Sequence, residues 1–244
     1  MTLLELRDVT RSFGGVTAVD RCSFSVGAGS LTGLIGPNGA GKTTVFNLIA
    51  GSVKPDGGDI ELSGKQLGRL RPHQITRLGL SRTFQITREL KELTVLENVV
   101  VHARTRGLFD LLKPSVGAAE RERAMALLER VGLARLAGAP ARGLSFGQRK
   151  LLELAAALMA EPTIVLLDEP AAGVNPALLE TIVDYIEEVN RAGVTFLIVE
   201  HNMDLVMSLC DPIIVMAHGT VLAHGPRDAI QNDARVLEAY LGSA

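Results

Sequence analysis

The chain has 244 residues, 47% hydrophobic and 21% charged, which is an ordinary globular composition with enough length for a substantial core. Its 25 basic and 27 acidic residues give a formal net charge of −2, so no broad basic field favours nucleic acid as a partner. Two cysteines, Cys22 and Cys210, stand far apart without metal-like spacing and suit a reduced, intracellular protein with no disulfide.

The first eight residues carry no basic start, apolar core or cleavage site, so a signal peptide is not expected. No apolar run approaches the roughly 18 to 20 residues that span a bilayer. The longest, residues 151–160, is broken by Glu153 and reads as a buried helix. Service to a membrane would run through a partner.

In chain order, residues 3–9, 22–26 and 59–62 read as short strands bounded by Gly, Pro or Asp. Between them an apolar run, residues 31–35, leads into Gly-Pro-Asn-Gly-Ala-Gly-Lys-Thr-Thr at 36–44, and a helical stretch follows at 45–50. This fits G-x-x-x-x-G-K-[ST], with Gly36, Gly41, Lys42 and Thr43 at the fixed positions. Strand, loop and helix in that order turn the pattern into a physical expectation. Glycines turn backbone N–H groups inward around an anion, and the helix N-terminus adds partial positive charge. Lys42 would reach the β- and γ-phosphates of a nucleoside triphosphate, and the Thr43 hydroxyl would ligate Mg²⁺.

A helical stretch comes next. Thr94 with Glu97 predicts a capping box for a helix over 94–104. Residues 104–115 read as an irregular connection, and 117–131 show helical spacing of Ala124, Leu127, Leu128 and Val131. Leu-Ser-Phe-Gly-Gln at 144–148 opens a helix predicted over 148–159, which Ser145 can cap. That helix start is a second anion-seeking N-terminus in a chain that already has one, and it could close over nucleotide held by another copy.

Three almost wholly apolar runs, 163–167, 194–199 and 212–216, read as strands buried on both faces, the habit of parallel sheets. Helices are predicted between them at 176–190, capped by Asn175, and at 203–209. This alternation predicts an α/β fold with a parallel sheet core. The first run ends in Asp168-Glu169 and the second in Glu200-His201. Ligands of open α/β sheets lie beyond the carboxyl ends of strands. Asp168 matches the acidic residue that holds Mg²⁺ in phosphate-loop NTPases. Glu169 is placed to orient or deprotonate an attacking water, and the His201 imidazole to face the γ-phosphate. Residues 226–241 read as short helices.

With these motifs in this order and spacing, the chain resembles the nucleotide-binding subunits of ATP-binding cassette (ABC) transporters over nearly its whole length. The phosphate loop 36–44, the stretch 164–169 and Leu-Ser-Phe-Gly-Gln at 144–148, in place of the family's L-S-G-G-Q, carry the resemblance. Gln85 looks like the Q-loop glutamine, residues 171–175 occupy the D-loop position, and His201 that of the switch histidine. Phe13 sits where the family places an aromatic that stacks on adenine. The resemblance implies an α/β phosphate-loop NTPase of the ABC ATPase type. Its core would be a mostly parallel sheet, with an N-terminal antiparallel β subdomain and a helical subdomain at about 86–160. All of this would form a single domain over 1–244 with a short helical tail at 226–244.

It further implies two copies packed head to tail around two ATP molecules, as a homodimer or with a close relative. Gly36, Asn38, Gly39, Ala40, Gly41, Lys42, Thr43 and Thr44 would cradle the phosphates. Ser145, Gly147 and Gln148 of one copy would contact the γ-phosphate held by the other. Glu169 would polarise water, and Gln85, Thr43 and Asp168 would serve Mg²⁺. Gln85 would also sense transmembrane permease subunits, with a periplasmic solute-binding protein as an indirect partner and the cytoplasmic face of the inner membrane as the location.

Thr83-Phe-Gln85, Ser145-Phe-Gly-Gln148, Pro170-Ala-Ala-Gly173 and the end 237–242 look most like the LivG-type ATPases of branched-chain amino-acid importers. Urea and amide importers and the lipopolysaccharide exporter use similar subunits, and a soluble nucleic-acid- or ribosome-associated cassette ATPase is the reading from another class. Two positions depart from the family pattern. Phe146 replaces the first glycine of the Gly-Gly pair, and Asn175 replaces the D-loop aspartate, keeping hydrogen-bonding capacity without the charge.

Overall fold

A computed structural model describes residues 1–83, 90–103 and 117–241. Gln85 and the connection expected at 104–115 lie outside the described residues. Among the described residues no helix is long and apolar enough to cross a membrane.

Two sheets frame the chain. The first is antiparallel, in the order β2 (Val16–Gly27), β1 (Thr2–Phe13), β4 (Gly57–Leu62), β5 (Lys65–Gln66). The second has the order β10 (Thr220–Gly225), β9 (Ile213–Ala217), β3 (Leu31–Ile35), β8 (Thr195–Val199), β7 (Ile164–Asp168), β6 (Leu80–Arg82). Every pair in it is parallel except β10 with β9.

Strands β7, β8 and β9 are almost wholly apolar because each face meets a different core, and a strand sends successive side chains to opposite faces. Ile164, Leu166, Leu197, Val199, Ile214 and Met216 join a cluster shared with the antiparallel sheet and α1 (Lys42–Ile49). Their neighbours Val165, Leu167, Phe196, Ile198, Ile213 and Val215 join the other cluster. That second cluster includes α3 (Val95–Val100), α4 (Ala118–Arg130), α5 (Phe146–Met159), α6 (Pro176–Arg191) and α7 (Met203–Leu209). Phe46 and Phe196, both with 0% exposure, anchor one cluster each. Truncating either to Ala would cost about 3 to 5 kcal/mol.

Several elements differ from the sequence expectation. β1 and β2 run several residues longer than predicted and meet at Gly14-Gly15, both at positive φ (51° and 85°). Register shifts along the pair break the strict alternation that a strand is recognised by, so only fragments were visible. α1 begins at Lys42, three residues before the expected start, with Gly41 as its left-handed N-cap residue (φ 100°). α3 ends at Val100 and not at 104. There the backbone tightens, with the His102 and Ala103 N–H groups bonding three residues back to Val99 and Val100. α5 starts two residues before the expected 148. α2 (Pro72–Arg77) and the edge strands β6 and β10 carry little apolar signal and were not anticipated. The tail forms α8 (Arg227–Gln231) and α9 (Ala234–Leu241), short helices as expected.

Candidate active site

The phosphate loop leaves β3 and turns into α1 at the carboxyl end of an inner strand of the parallel sheet. Two glycines make that turn possible. Gly36 has φ 148°, and a Cβ there would lie 2.1 Å from the Met216 carbonyl oxygen. At Gly41, φ 100°, it would lie 2.5 Å from that of Ala18. Any side chain at either place would push the loop off its neighbours, so the cradle depends on glycine. Asn38 and Gly39 are exposed at the loop's crest, and Ala40 is buried. Thr43 is exposed and Thr44 half-buried in the first turn of α1, whose leading N–H groups have no earlier helical carbonyl to bond.

Lys42 is buried (6% exposed), and its Nζ donates to the carbonyls of Gly36 (2.6 Å) and Pro37 (2.9 Å). Burial lowers its pKa, while the charges of Glu169 and Asp168 oppose that shift. The ammonium therefore shares one electrostatic environment with both carboxylates at the end of β7.

Asp168, 2% exposed, receives Arg82 Nη2 at 2.9 Å, and Arg82 Nη1 reaches Asn47 Oδ1 on α1 at 2.7 Å. Thr83 Oγ1 accepts from the Asp168 backbone N–H at 3.3 Å. The segment leading to Gln85 thus holds Asp168 by side chain and backbone alike. Glu169 has a left-handed backbone, φ 51°, uncommon for a residue with a side chain. Its N–H donates to Val199 (2.9 Å), and its carbonyl accepts from Lys150 Nζ on α5 (3.0 Å). This pinned turn swings the carboxylate toward the adjacent strand end, where Glu169 Oε1 lies 3.0 Å from His201 Nε2.

Glu200 is buried (3% exposed) and makes three backbone contacts. Oε1 accepts from Ala171 N–H at 2.7 Å, and Oε2 from His201 and Asn202 N–H at 3.0 and 3.3 Å.

Ser145 caps α5 in a full capping box. Its hydroxyl accepts from Gln148 N–H (3.3 Å), and Gln148 Oε1 accepts from Ser145 N–H (2.9 Å). Gly147 lies inside the first turn, where a Cβ would stand 2.0 Å from Leu178 Cδ2 of α6. The glycine thus serves the close approach of two helices. Phe146 is 42% exposed, and a Cβ on Gly173 would lie 2.8 Å from its Cε1, so the ring leans on the turn after Glu169. Asn175 is the N-cap of α6, accepting from Leu178 N–H at 2.9 Å. Phe13, 44% exposed at the end of β1, has the Arg11 guanidinium 4.6 Å from its ring centre.

The structure therefore gathers Lys42, Asp168, Glu169 and His201 at one sheet end. Ser145, Gly147 and Gln148 belong to a separate helix start. The sequence did not reveal Arg82, Lys150, Glu200 or Tyr240. The Tyr240 hydroxyl on α9 bonds to the backbone of Gly36, and burial pushes its pKa up to about 12. Only the Arg in Ser-Arg-Thr-Phe, at the end of an apolar stretch, offered any prior signal. Cys22 and Cys210 are both buried, and burial raises each thiol to about 12.

Residues 19–172 match the ABC transporter family, and residues 220–244 match the C-terminal segment of branched-chain amino acid ATP-binding cassette transporters. The high-affinity branched-chain amino acid transport ATP-binding protein LivG of Escherichia coli strain K12 is 43% identical over 251 residues, covering 99% of this chain and 98% of that protein. A probable LivG of Archaeoglobus fulgidus is 40% identical over 248 residues, covering 100% and 96%. Among solved structures, the ADP conformation of the ABC transporter cassette MJ1267 superposes with a TM-score of 0.87 at 36% identity, covering 99% of each chain. A dimeric post-hydrolysis state of the cassette MJ0796 bound to ADP and Pi has a TM-score of 0.81 at 25% identity, covering 92% of this chain and 99% of that one.

Proposed function

The chain belongs to the ABC transporter family, and from that premise we propose that it is the ATP-hydrolysing subunit of an importer of branched-chain amino acids. The observation that carries the ATPase reading is the Glu169–His201 pair at 3.0 Å, set at the ends of neighbouring strands beside a lysine-bearing phosphate loop. The likeness to LivG proteins along the whole chain supports the class of solute.

The residues present fit Mg²⁺ and a triphosphate. Gly36 and Gly41 let the loop turn against Met216 and Ala18 where a Cβ would clash, and Asp168 offers a buried carboxylate near Lys42. Thr43, Asp168 and Gln85 would hold the metal, which neutralises charge on the β- and γ-phosphates. The loop N–H groups of Gly36 and of residues 38–44 bind the phosphates, and Lys42 exchanges its loop carbonyls for phosphate oxygens. Phe13 stacks on adenine. Glu169 orients the attacking water and takes its proton, and His201 Nε2 holds that carboxylate in place and faces the γ-phosphate.

Ser145, Gly147 and Gln148 complete the site of a second copy. ATP then favours the closed pair only through γ-phosphate contacts absent from the open state, and hydrolysis removes them. The subunit works at the cytoplasmic face of the inner membrane, bound to permease subunits that receive solute from a periplasmic binding protein. A cleft of about 480 Å³, lined by Ile75, Val101, His102, Leu152 and Ala156, runs to Arg82 and so to Asp168. We assign the permease contact to this cleft as part of the same proposal.

Reconstitution with the permease subunits of a branched-chain amino-acid importer tests the reading. Leucine uptake into vesicles should require ATP and the Glu169 carboxylate. Uptake that persists in Glu169→Gln would overturn it. For the purified chain, hydrolysis per molecule should rise with chain concentration, and a constant value would remove the two-copy site.

A further inference from the structure

We propose that Glu200 is a positioning residue for the reaction, tying the turn after Glu169 to the turn that carries His201. The inference rests on the ATPase reading above. A carboxylate withdrawn from water is costly unless its oxygens find donors. Here all three recorded donors are backbone N–H groups, drawn from two loops 30 residues apart. Oε1 takes Ala171, while Oε2 takes His201 and Asn202. The side chain thus acts as a strut between loops that share no backbone ladder beyond the strand ends.

What each loop carries gives the strut its meaning. The Ala171 loop begins at Glu169 and receives the Phe146 ring at Gly173, so it borders the start of α5. The His201 loop carries the imidazole that meets Glu169 Oε1. Two connections therefore join the same pair of loops. One is the Glu169–His201 contact at the reacting centre, and the other is the Glu200 carboxylate behind it. A displacement of the Ala171 loop, passed from Phe146, must move the His201 backbone as long as Glu200 holds both. Among the described residues neither Asp168 nor the phosphate loop is bonded to Glu200, so nucleotide affinity stands outside this device.

The test is a double-mutant cycle on hydrolysis by the full chain, using Glu200→Gln, His201→Ala and the pair. Glutamine keeps the shape but turns an N–H₂ toward backbone donors on one side. Glu200→Gln should lower kcat about tenfold, with KM for ATP changed less than about twofold. In the His201→Ala background the same change should cost less than about twofold, because groups that act as a unit are non-additive. An equal loss in both backgrounds would overturn the proposal, as would a raised KM with kcat intact. If His201→Ala alone leaves kcat unaltered, the role of His201 in the ATPase reading fails instead, and this inference goes with it. Should Glu200→Gln not fold, amide hydrogen exchange of the native chain decides. The Ala171, His201 and Asn202 amides should exchange slowly, and fast exchange at any of them refutes the strut.

Discussion

The phosphate loop and the Ser145 turn are both helix starts with a proposed anion partner, yet they are built in opposite ways. The first is closed by its own fold. Lys42 is 6% exposed, Gly36 lies against Met216, and Asp168 is held from beneath by Arg82. The second presents itself outward. Ser145 is exposed and Phe146 is 42% exposed, and their recorded partners are local: Gln148 across the cap, and Gly173 and Lys150 beside the ring. A site that supplies every contact for phosphate within one chain can bind alone. A capped helix end on the surface needs a counterpart. If the proposed roles hold, nucleotide affinity and the closing of a second copy over that nucleotide are separable, because the contacts for each lie at different helix starts.

Substitutions can break that separation or sharpen it. The largest effect is expected from Glu169→Gln, which removes the proposed base while leaving the phosphate loop intact. Turnover should fall on the order of 10² to 10⁴-fold, ATP should still bind, and a nucleotide-locked dimer should accumulate in gel filtration. A monomer with normal turnover would reject Glu169 as the base. Next comes Lys42→Ala. Loss of a charged hydrogen bond of about 1.5 to 3 kcal/mol should weaken ATP binding roughly 10- to 150-fold in titration calorimetry; unchanged affinity would undo the phosphate-loop assignment.

Ser145→Ala separates the halves most cleanly. ATP affinity of the isolated chain should stay put while turnover at high chain concentration drops about tenfold, with roughly 1 kcal/mol of stability lost from the helix cap. Equal loss of affinity would merge the two halves. The smallest effect belongs to Phe13→Ala. Its ring is partly engaged with Arg11, so adenine stacking of about 1 kcal/mol corresponds to a roughly fivefold weaker ATP complex. Unaltered affinity would make Phe13 loop packing only.

The same contrast governs what the sequence disclosed. Strands buried on both faces announce themselves as unbroken apolar runs, and β7, β8 and β9 lie within a residue of where they were expected. Capping residues are local chemistry, so Thr94, Ser145 and Asn175 were legible. Glycine and lysine at fixed spacing located the phosphate loop for the same reason. The long β1–β2 ribbon was not legible, because its bulges scramble the alternation. Nor were Arg82 and Glu200. Their partners lie 86 residues away in Asp168 and 29 away in Ala171, and nothing local distinguishes a buried carboxylate from a solvated one. The replacement of glycine by Phe146 was visible as a departure, but its contact with Gly173 exists only in three dimensions.

Residue 169 also sets heat tolerance against output. An L-amino acid held at φ 51° pays about 1 to 2 kcal/mol that glycine would not. A library screened solely for survival at high temperature should therefore drift toward glycine here, producing robust cassettes that no longer run. The strain accompanies a carboxylate 3.0 Å from the His201 imidazole, which glycine could not supply.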